Sequence, residues 1–384
     1  MIEKKQSKSD NFFYEWKEFR FAQLILIALY FFISSYLRFQ YRWSHPLDGD
    51  ELMTIQGLRM DFYSMLFDFI PKTDFHFPPA YVLLYPIGHY LSMAPLIVSA
   101  PYAVLSLYFY YFFARVNWPK IVGFKNQRFA IDVKWINVLA CVLISYNDTL
   151  IIHALVLRPY ALLCPLALLA LWLADKILNL KNLNWRYVVA VLALLLFHNF
   201  GSLMMLTAFG YCLLSRISQA EGNSSLSIQI KSYAPAFLTV GLAVLLSVPF
   251  FWWYLQYPFL HQYHFSSIDP HLFIHPGMRG IIQVWAIYYG LSQPHLKPFR
   301  LILVVFVACT IPLFFRQKKW MVLGFLFVFV ICPTWLIYLF DLRLNYWFVQ
   351  RQFIWAIPFH AVFVAMSIHY LLNTVYLRVF SHTK

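Results

Sequence analysis

The sequence predicts an all-α polytopic membrane protein. Of its 384 residues 61% are apolar and only 12% are charged, and the mean hydropathy is +0.62. Water-soluble domains run at about 45–50% apolar and about 25% charged, which excludes a soluble globular enzyme. Disorder needs low hydrophobicity and is excluded as well. The aromatic share of 20% agrees, because Trp and Tyr collect at membrane interfaces.

A hydrocarbon core of about 30 Å takes about 20 apolar residues per helix. On that rule ten spans are expected, near 21–37, 95–114, 135–152, 159–178, 187–199, 201–215, 235–255, 299–315, 320–339 and 353–372. The first reads as an uncleaved anchor, since no small-residue cleavage site follows it. Ahead of it, Phe12, Phe13, Trp16 and Phe19 recur at helical spacing and predict a short helix on the inner surface. The fifth and sixth spans are short and meet at His198-Asn199 on the outer side.

The net charge of +14 does not mark a nucleic-acid binder. Its basic residues lie in short runs between apolar segments, and the ten-span topology puts 20 of the 30 Lys and Arg residues on one side. That asymmetry orients the chain with both termini inside. Cys141, Cys164, Cys212, Cys309 and Cys332 fall in or beside apolar spans and read as small buried hydrophobes. They lack metal-ligand spacing.

A single transmembrane domain over 1–384 is thus expected, with a first outer loop at 39–94 and a second at 256–298. In the first loop Leu58, Phe62, Met65, Leu66 and Phe69 form an apolar stripe, while Arg59, Asp61, Ser64 and Asp68 face elsewhere. This predicts an amphipathic helix at the outer interface. The run after Pro78-Pro79 is too short to span and should dip into that interface.

Acids are concentrated in the same loop. Asp48, Asp50, Glu51, Asp61, Asp68 and Asp74 are six of the 16 in the chain. A carboxylate cluster at a membrane face is where a general base would be sought; a solvated loop is the plainer reading. The second loop holds His261, His264, His271 and His275. Pro258, Pro270 and Pro276 lie in and beside that run, so acceptor contact or plain loop is favoured over zinc and no metal site is expected.

The order HPLDGDEL, amphipathic helix, DFHFPPAY resembles the first outer loop of GT-C glycosyltransferases that use polyprenyl-phosphate sugars. These include protein O-mannosyltransferases, lipid A aminoarabinose transferases and related lipopolysaccharide sugar transferases. Asp50-Glu51 matches the family's Asp-Glu pair, and His76-Phe77-Pro78-Pro79-Ala80-Tyr81 is similar to its His-Pro-Pro. Arg158-Pro159-Tyr160-Ala161-Leu162-Leu163, His198-Asn199-Phe200-Gly201 and Arg351-Gln352-Phe353 with Pro358 resemble three later family segments. The family often has a Glu two residues before the first of these arginines; here that position is Val156, and Asp148 lies further upstream.

The resemblance implies a GT-C bundle of about ten helices in a bacterial-type inner membrane, with its active site facing outward. It implies transfer of a monosaccharide from a polyprenyl-phosphate donor to a hydroxyl of an envelope glycan, glycolipid or protein, with inversion. Asp50 is then the general base, and Glu51, His76, Tyr81, Arg158, Tyr160, His198 and Arg351 are the substrate contacts. No cofactor beyond the lipid-linked sugar is implied, and a divalent ion is not indicated. The residues also admit plainer roles: Asp50 as N-cap of a helix beginning at Glu51, both arginines as snorkelling anchors, His198 as a packed core residue. A lipid-linked glycan flippase and a non-catalytic membrane subunit are the rival functions; the first would show internal repeats, and none is seen.

Overall fold

In the computed structural model, which describes residues 12–74, 76, 78–92, 94–124, 131–219, 230–257, 277–290, 297–344 and 350–380, every regular element among the described residues is helical. One isolated bridge pairs Phe13 with Val116. Six helices are long and apolar enough to cross a membrane: Phe21–Ser44, Pro159–Ile177, Ala234–Leu255, Pro298–Arg316, Trp320–Leu339 and Arg351–Val379. The chain is a multi-pass membrane protein.

The elements that matter for the site are α1 (Phe21–Ser44), α2 (Gly49–Arg59), α3 (Pro79–Tyr90), α4 (Ala100–Arg115), α5 (Trp135–Ser145), α6 (Asp148–His153), α7 (Leu163–Ile177), α8 (Trp185–Phe197) and α9 (Gly201–Gln219). Four of the expected spans fall outside the six. α5 and α8 are apolar but short, with 11 and 13 residues; α4, with 16, is short and less apolar, and α9 has 19 residues but is also less apolar. The expected span at 135–152 is broken for a local reason. The Asn147 side chain accepts the Leu150 N–H at 3.0 Å and starts α6 as a new helix.

The N-terminal segment corrects its expected helix. Tyr14 N–H donates to the Arg115 carbonyl at 2.7 Å, and Asn117 N–H to the Phe12 carbonyl at 2.8 Å. Only Trp16–Glu18 makes a 3-10 turn. The extended strap satisfies its backbone against the end of α4 while the Arg115 guanidinium stacks on Trp16 and Tyr111. Phe12 and Phe19 are buried in protein.

Between residues 39 and 94 the helix begins earlier than expected and breaks at Met60-Asp61, where Asp61 caps the next turn through Ser64 N–H at 3.0 Å. Where a lipid-facing interfacial helix is expected, the stripe packs partly into protein: Leu58, Met65 and Phe69 are buried and Phe62 and Leu66 half-buried, while Arg59, Asp61 and Asp68 are exposed. α2 packs on α3, as does the π-helical stretch Met65–Phe69 on α2. Gly57 permits this: a side chain there would collide with the Phe69 ring.

Two spans form the axis of the bundle. In the most apolar 18-residue stretch of each, 72% of the residues are buried in Pro159–Ile177 and 89% in Arg351–Val379, against 17% in Pro298–Arg316, whose apolar surface faces outward. The last span opens with the 3-10 stretch Gln350–Ala356 and continues as Ile357–Phe380, with Pro358 in its first turn. Arg158 and Arg351 therefore stand at the N-terminal ends of the two most buried spans, where the helix dipole adds positive potential.

Candidate functional site

α2 is held by a capping box centred on Asp48. Its Oδ1 accepts the Glu51 N–H at 2.7 Å, and Glu51 Oε2 accepts the Asp48 N–H at 3.2 Å. Asp48, rather than Asp50, is thus the N-cap, and the helix starts at Gly49. This leaves the Asp50 carboxylate free of any capping duty. It lies with Oδ2 3.3 Å from Arg351 Nη1 and 4.0 Å from Arg158 Nε, and its side chain is 38% exposed.

Glu51 points the other way. Its carboxylate is buried against Arg42 in an ion pair and accepts the Leu157 N–H at 2.8 Å. Arg42 also donates to the His45 carbonyl at 3.0 Å. The pair ties the end of α1 to α2 and to the irregular segment that leads to Arg158. Its geometry gives Glu51 a fold-holding part rather than a contact open to substrate.

Beneath Asp50 is a buried network built on Asp74. Its carboxylate takes Arg158 Nη1 at 2.8 Å and Nη2 at 3.3 Å, His76 Nδ1 at 2.7 Å, the His76 backbone N–H at 3.1 Å, and the Tyr81 hydroxyl. Burial opposes ionisation of Asp74, but His76, Arg158 and Tyr81 outweigh it and hold the carboxyl well below the usual range. Burial, reinforced by Arg158 and Arg351 and opposed by Asp74, pushes His76 down. A neutral His76 then donates Nδ1–H to Asp74. Burial and Asp74 push the Tyr81 phenol well up, so it stays a donor. Burial also opposes the charge on Arg158; Asp74 and the nearby Tyr81, Tyr160 and Asp50 restore it.

Aromatic rings complete the site. Arg351 lies 4.8 Å over the Tyr160 ring, and His76 meets Tyr160 at 5.3 Å and His198 at 5.7 Å. His198 Nδ1 accepts the Phe200 N–H at 3.1 Å, which assigns its proton to Nε2. That Nε2 and Arg158 Nε are buried and have no hydrogen-bond partner among the described residues. Buried donors of this kind are costly unless an acceptor reaches them, so the cluster offers two N–H groups for oxygen atoms of a ligand.

Asp50, His76, Tyr81, Arg158, Tyr160, His198 and Arg351 are brought into one contiguous cluster from across 301 residues of chain. Asp74, its hub, was not singled out from the sequence. Its signal was the two-residue step to His76, which lets a carboxylate reach Nδ1 of the ring. Asp148 lies apart, opening α6 with its N–H on the Gly290 carbonyl at 3.0 Å. His261, His264, His271 and His275 lie outside the described residues. Among the described residues no group of three His, Cys, Asp or Glu is placed to hold a metal ion.

Comparison with protein-family models, curated proteins and solved structures finds no match for this chain.

Proposed function

We propose that this protein is a membrane glycosyltransferase of the GT-C type, carrying a monosaccharide from a polyprenyl-phosphate donor to a hydroxyl acceptor. The acceptor is an envelope glycan, glycolipid or protein at the outer face of a bacterial inner membrane. The observation that carries the reading is the half-exposed Asp50 carboxylate set between the guanidinium groups of Arg351 and Arg158. Transfer of a sugar away from a phosphate requires an acid–base group on one side of the anomeric carbon and fixed positive charge on the other.

In the reaction the acceptor oxygen bonds to the anomeric carbon, the carbon–phosphate oxygen bond breaks, and the acceptor proton passes to Asp50. Polyprenyl phosphate leaves with the electron pair. In the resting site Asp50 and Asp74 balance the two arginines. Protonation of Asp50 removes one of these negative charges as charge builds on the leaving phosphate, so the arginine donors are released to the phosphate as it needs them. That is stabilisation gained in the transition state rather than in the ground state. Attack opposite the phosphate inverts the anomeric centre.

The test is mass spectrometry of envelope lipids and glycans from cells carrying wild type, a deletion, or Asp50→Asn at matched expression. One sugar-sized mass increment should vanish from the deletion and from Asp50→Asn alike. An increment that needs the protein but survives Asp50→Asn would overturn the assignment of the base and favour a transport or docking role.

A further inference from the structure

We propose that the turn at 316–320 binds the head group of an anionic phospholipid, on the membrane face opposite Asp50. The Tyr370 hydroxyl donates to Gln317 Oε1 and so ties this turn to the last span. Arg351 opens that span. At about 1.5 Å of rise per residue Tyr370 lies roughly 30 Å from it, the thickness of the hydrocarbon core. The site does not depend on the transfer reading.

The backbone of the turn carries a residue that its conformation disfavours. The helix Lys297–Arg316 closes with Lys319 N–H on the Phe314 carbonyl at 2.9 Å and Lys318 N–H on the Phe315 carbonyl at 3.1 Å. In this Schellman closure the left-handed residue is usually glycine. Here it is Lys318, with φ +55°, and among the described residues no other non-glycine residue has a positive φ. A Cβ is strained in that conformation. Retained backbone strain points to a function for the side chain that imposes it, and the side chain kept here is an exposed ammonium.

Charge and apolar surface stand side by side at this turn. Arg316, Lys318 and Lys319 have no carboxylate partner among the described residues. No Asp or Glu occurs between Asp269 and Asp341, so neither helix joined here carries one. Gly201–Gln219 and Ile357–Phe380, which pack on them, carry none either. By contrast, Arg216 is taken up by Asp175 at 2.6 Å and Arg20 by Asp132 at 3.6 Å. Partial burial pulls the Lys319 ammonium below the usual lysine range, a cost that an adjoining anion offsets. Beside these cations the Phe315 and Trp320 rings meet edge to face at 5.7 Å, and they are 53% and 58% exposed. A phospholipid head meets both needs: its phosphate pairs with the cations, and its glycerol and upper acyl carbons cover the rings at the depth where Trp collects. Free phosphate would serve the cations alone.

The experiment titrates the full chain, purified in a neutral detergent, with phosphatidylglycerol or phosphatidylcholine. Native mass spectrometry reads the first lipid bound, and the melting temperature is measured before and after lipid is added. Lys318→Gly and Lys319→Gln should each weaken phosphatidylglycerol binding about fivefold, the usual weight of one cation at an anionic membrane surface. Lys181→Gln removes an exposed cation from another turn and should leave binding unchanged. Trp320→Ala should weaken it. Without lipid, Lys318→Gly should melt above wild type, because glycine relieves the left-handed strain; with phosphatidylglycerol it should gain less than wild type does. Equal affinity for phosphatidylcholine, loss of the bound lipid to millimolar inorganic phosphate, or a weakening by Lys181→Gln as large as that by Lys318→Gly overturns the proposal. So does a Lys318→Gly variant that binds phosphatidylglycerol as wild type does. One that melts below wild type in neutral detergent overturns it too, since the lysine then holds the fold rather than a ligand.

Discussion

Asp74 and Arg158, 84 residues apart in the chain, close a buried two-point ion pair with Nη1–Oδ2 at 2.8 Å and Nη2–Oδ1 at 3.3 Å. The segment that precedes α3 is thereby fastened to the start of a central span. Removing one partner leaves an uncompensated buried charge, which typically costs about 3–5 kcal/mol. Asp74→Asn should therefore lower the melting temperature in detergent sharply. Asp74→Asn combined with Arg158→Gln should recover part of the loss, because neither charge is then stranded. A single variant that melts with wild type would show that the pair does not hold the loop.

Arg351 serves two neighbours at once, stacking over Tyr160 at 4.8 Å while its Nη1 reaches Asp50 at 3.3 Å. A planar guanidinium can do both; a lysine ammonium cannot. Arg351→Lys should lower sugar transfer by about 10²–10³-fold, the usual effect of losing one preorganised donor. Its side chain is about one-third exposed, so stability should change little. Tyr160→Phe keeps the ring under Arg351 and should retain most activity, whereas Tyr160→Leu should not. Radiolabelled donor turnover in membranes distinguishes the three. Equal activity of Arg351→Lys and wild type would exclude a directed role for the guanidinium.

Much of this was legible in the sequence because apolar runs and charged interruptions are local signals. The membrane class and the turn at His198-Asn199 follow from spacing, as does the apolar stripe of Leu58, Met65 and Phe69, though not its burial in protein. What was not legible depends on tertiary partners. The aromatic spacing at Phe12–Phe19 suits a helix, but pairing with Arg115 and Asn117 draws the strap out. A cap at Asn147 splits an apolar run that periodicity alone would continue. Asp50 and Glu51 look alike as neighbours; only Arg42 and the Leu157 N–H decide which of them is buried.

Stability should fall as pH drops from 7 towards 5, with His76 and His198 as the named causes. Burial holds both ring pKa values below the usual 6.5, that of His198 well below. An unfolded chain protonates both near about pH 6.5, while the folded one does not. The folded state is therefore favoured fully above that pH and loses ground below it, by up to about 1.4 kcal/mol per pH unit for each ring. Asp74 is held low as well, which for a carboxylate favours the charged form; its contribution is present above about pH 4 and is lost only as pH falls below that, towards its depressed folded value. It does not enter this window. His198→Gln should flatten the melting profile between pH 5 and 7 by one ring's share. An unaltered slope in that variant would mean His198 is not held neutral.

Gly290 packs against the cap that opens α6. It follows the helix Gly277–Tyr289 in the left-handed region, with φ +58°, and its carbonyl accepts the Asp148 N–H at 3.0 Å. The Asn147 amide donates to the Ile287 carbonyl at 3.1 Å in the same junction. A side chain at 290 would be strained by φ and would collide with Asn147. Gly290→Ala should cost at least about 2 kcal/mol, from strain of about 1–2 kcal/mol plus the displaced cap. Asn147→Ala removes the obstacle but forfeits the cap, so the double variant should be less destabilised than the two singles added together. α6, which this junction positions, packs on the Gln350–Ala356 stretch that carries Arg351. Gly290→Ala should accordingly lower transfer along with stability, and a second-site change that restores melting without restoring the Asn147 contacts should leave transfer low. Strict additivity in the thermal-unfolding cycle would show that Gly290 and Asn147 act independently.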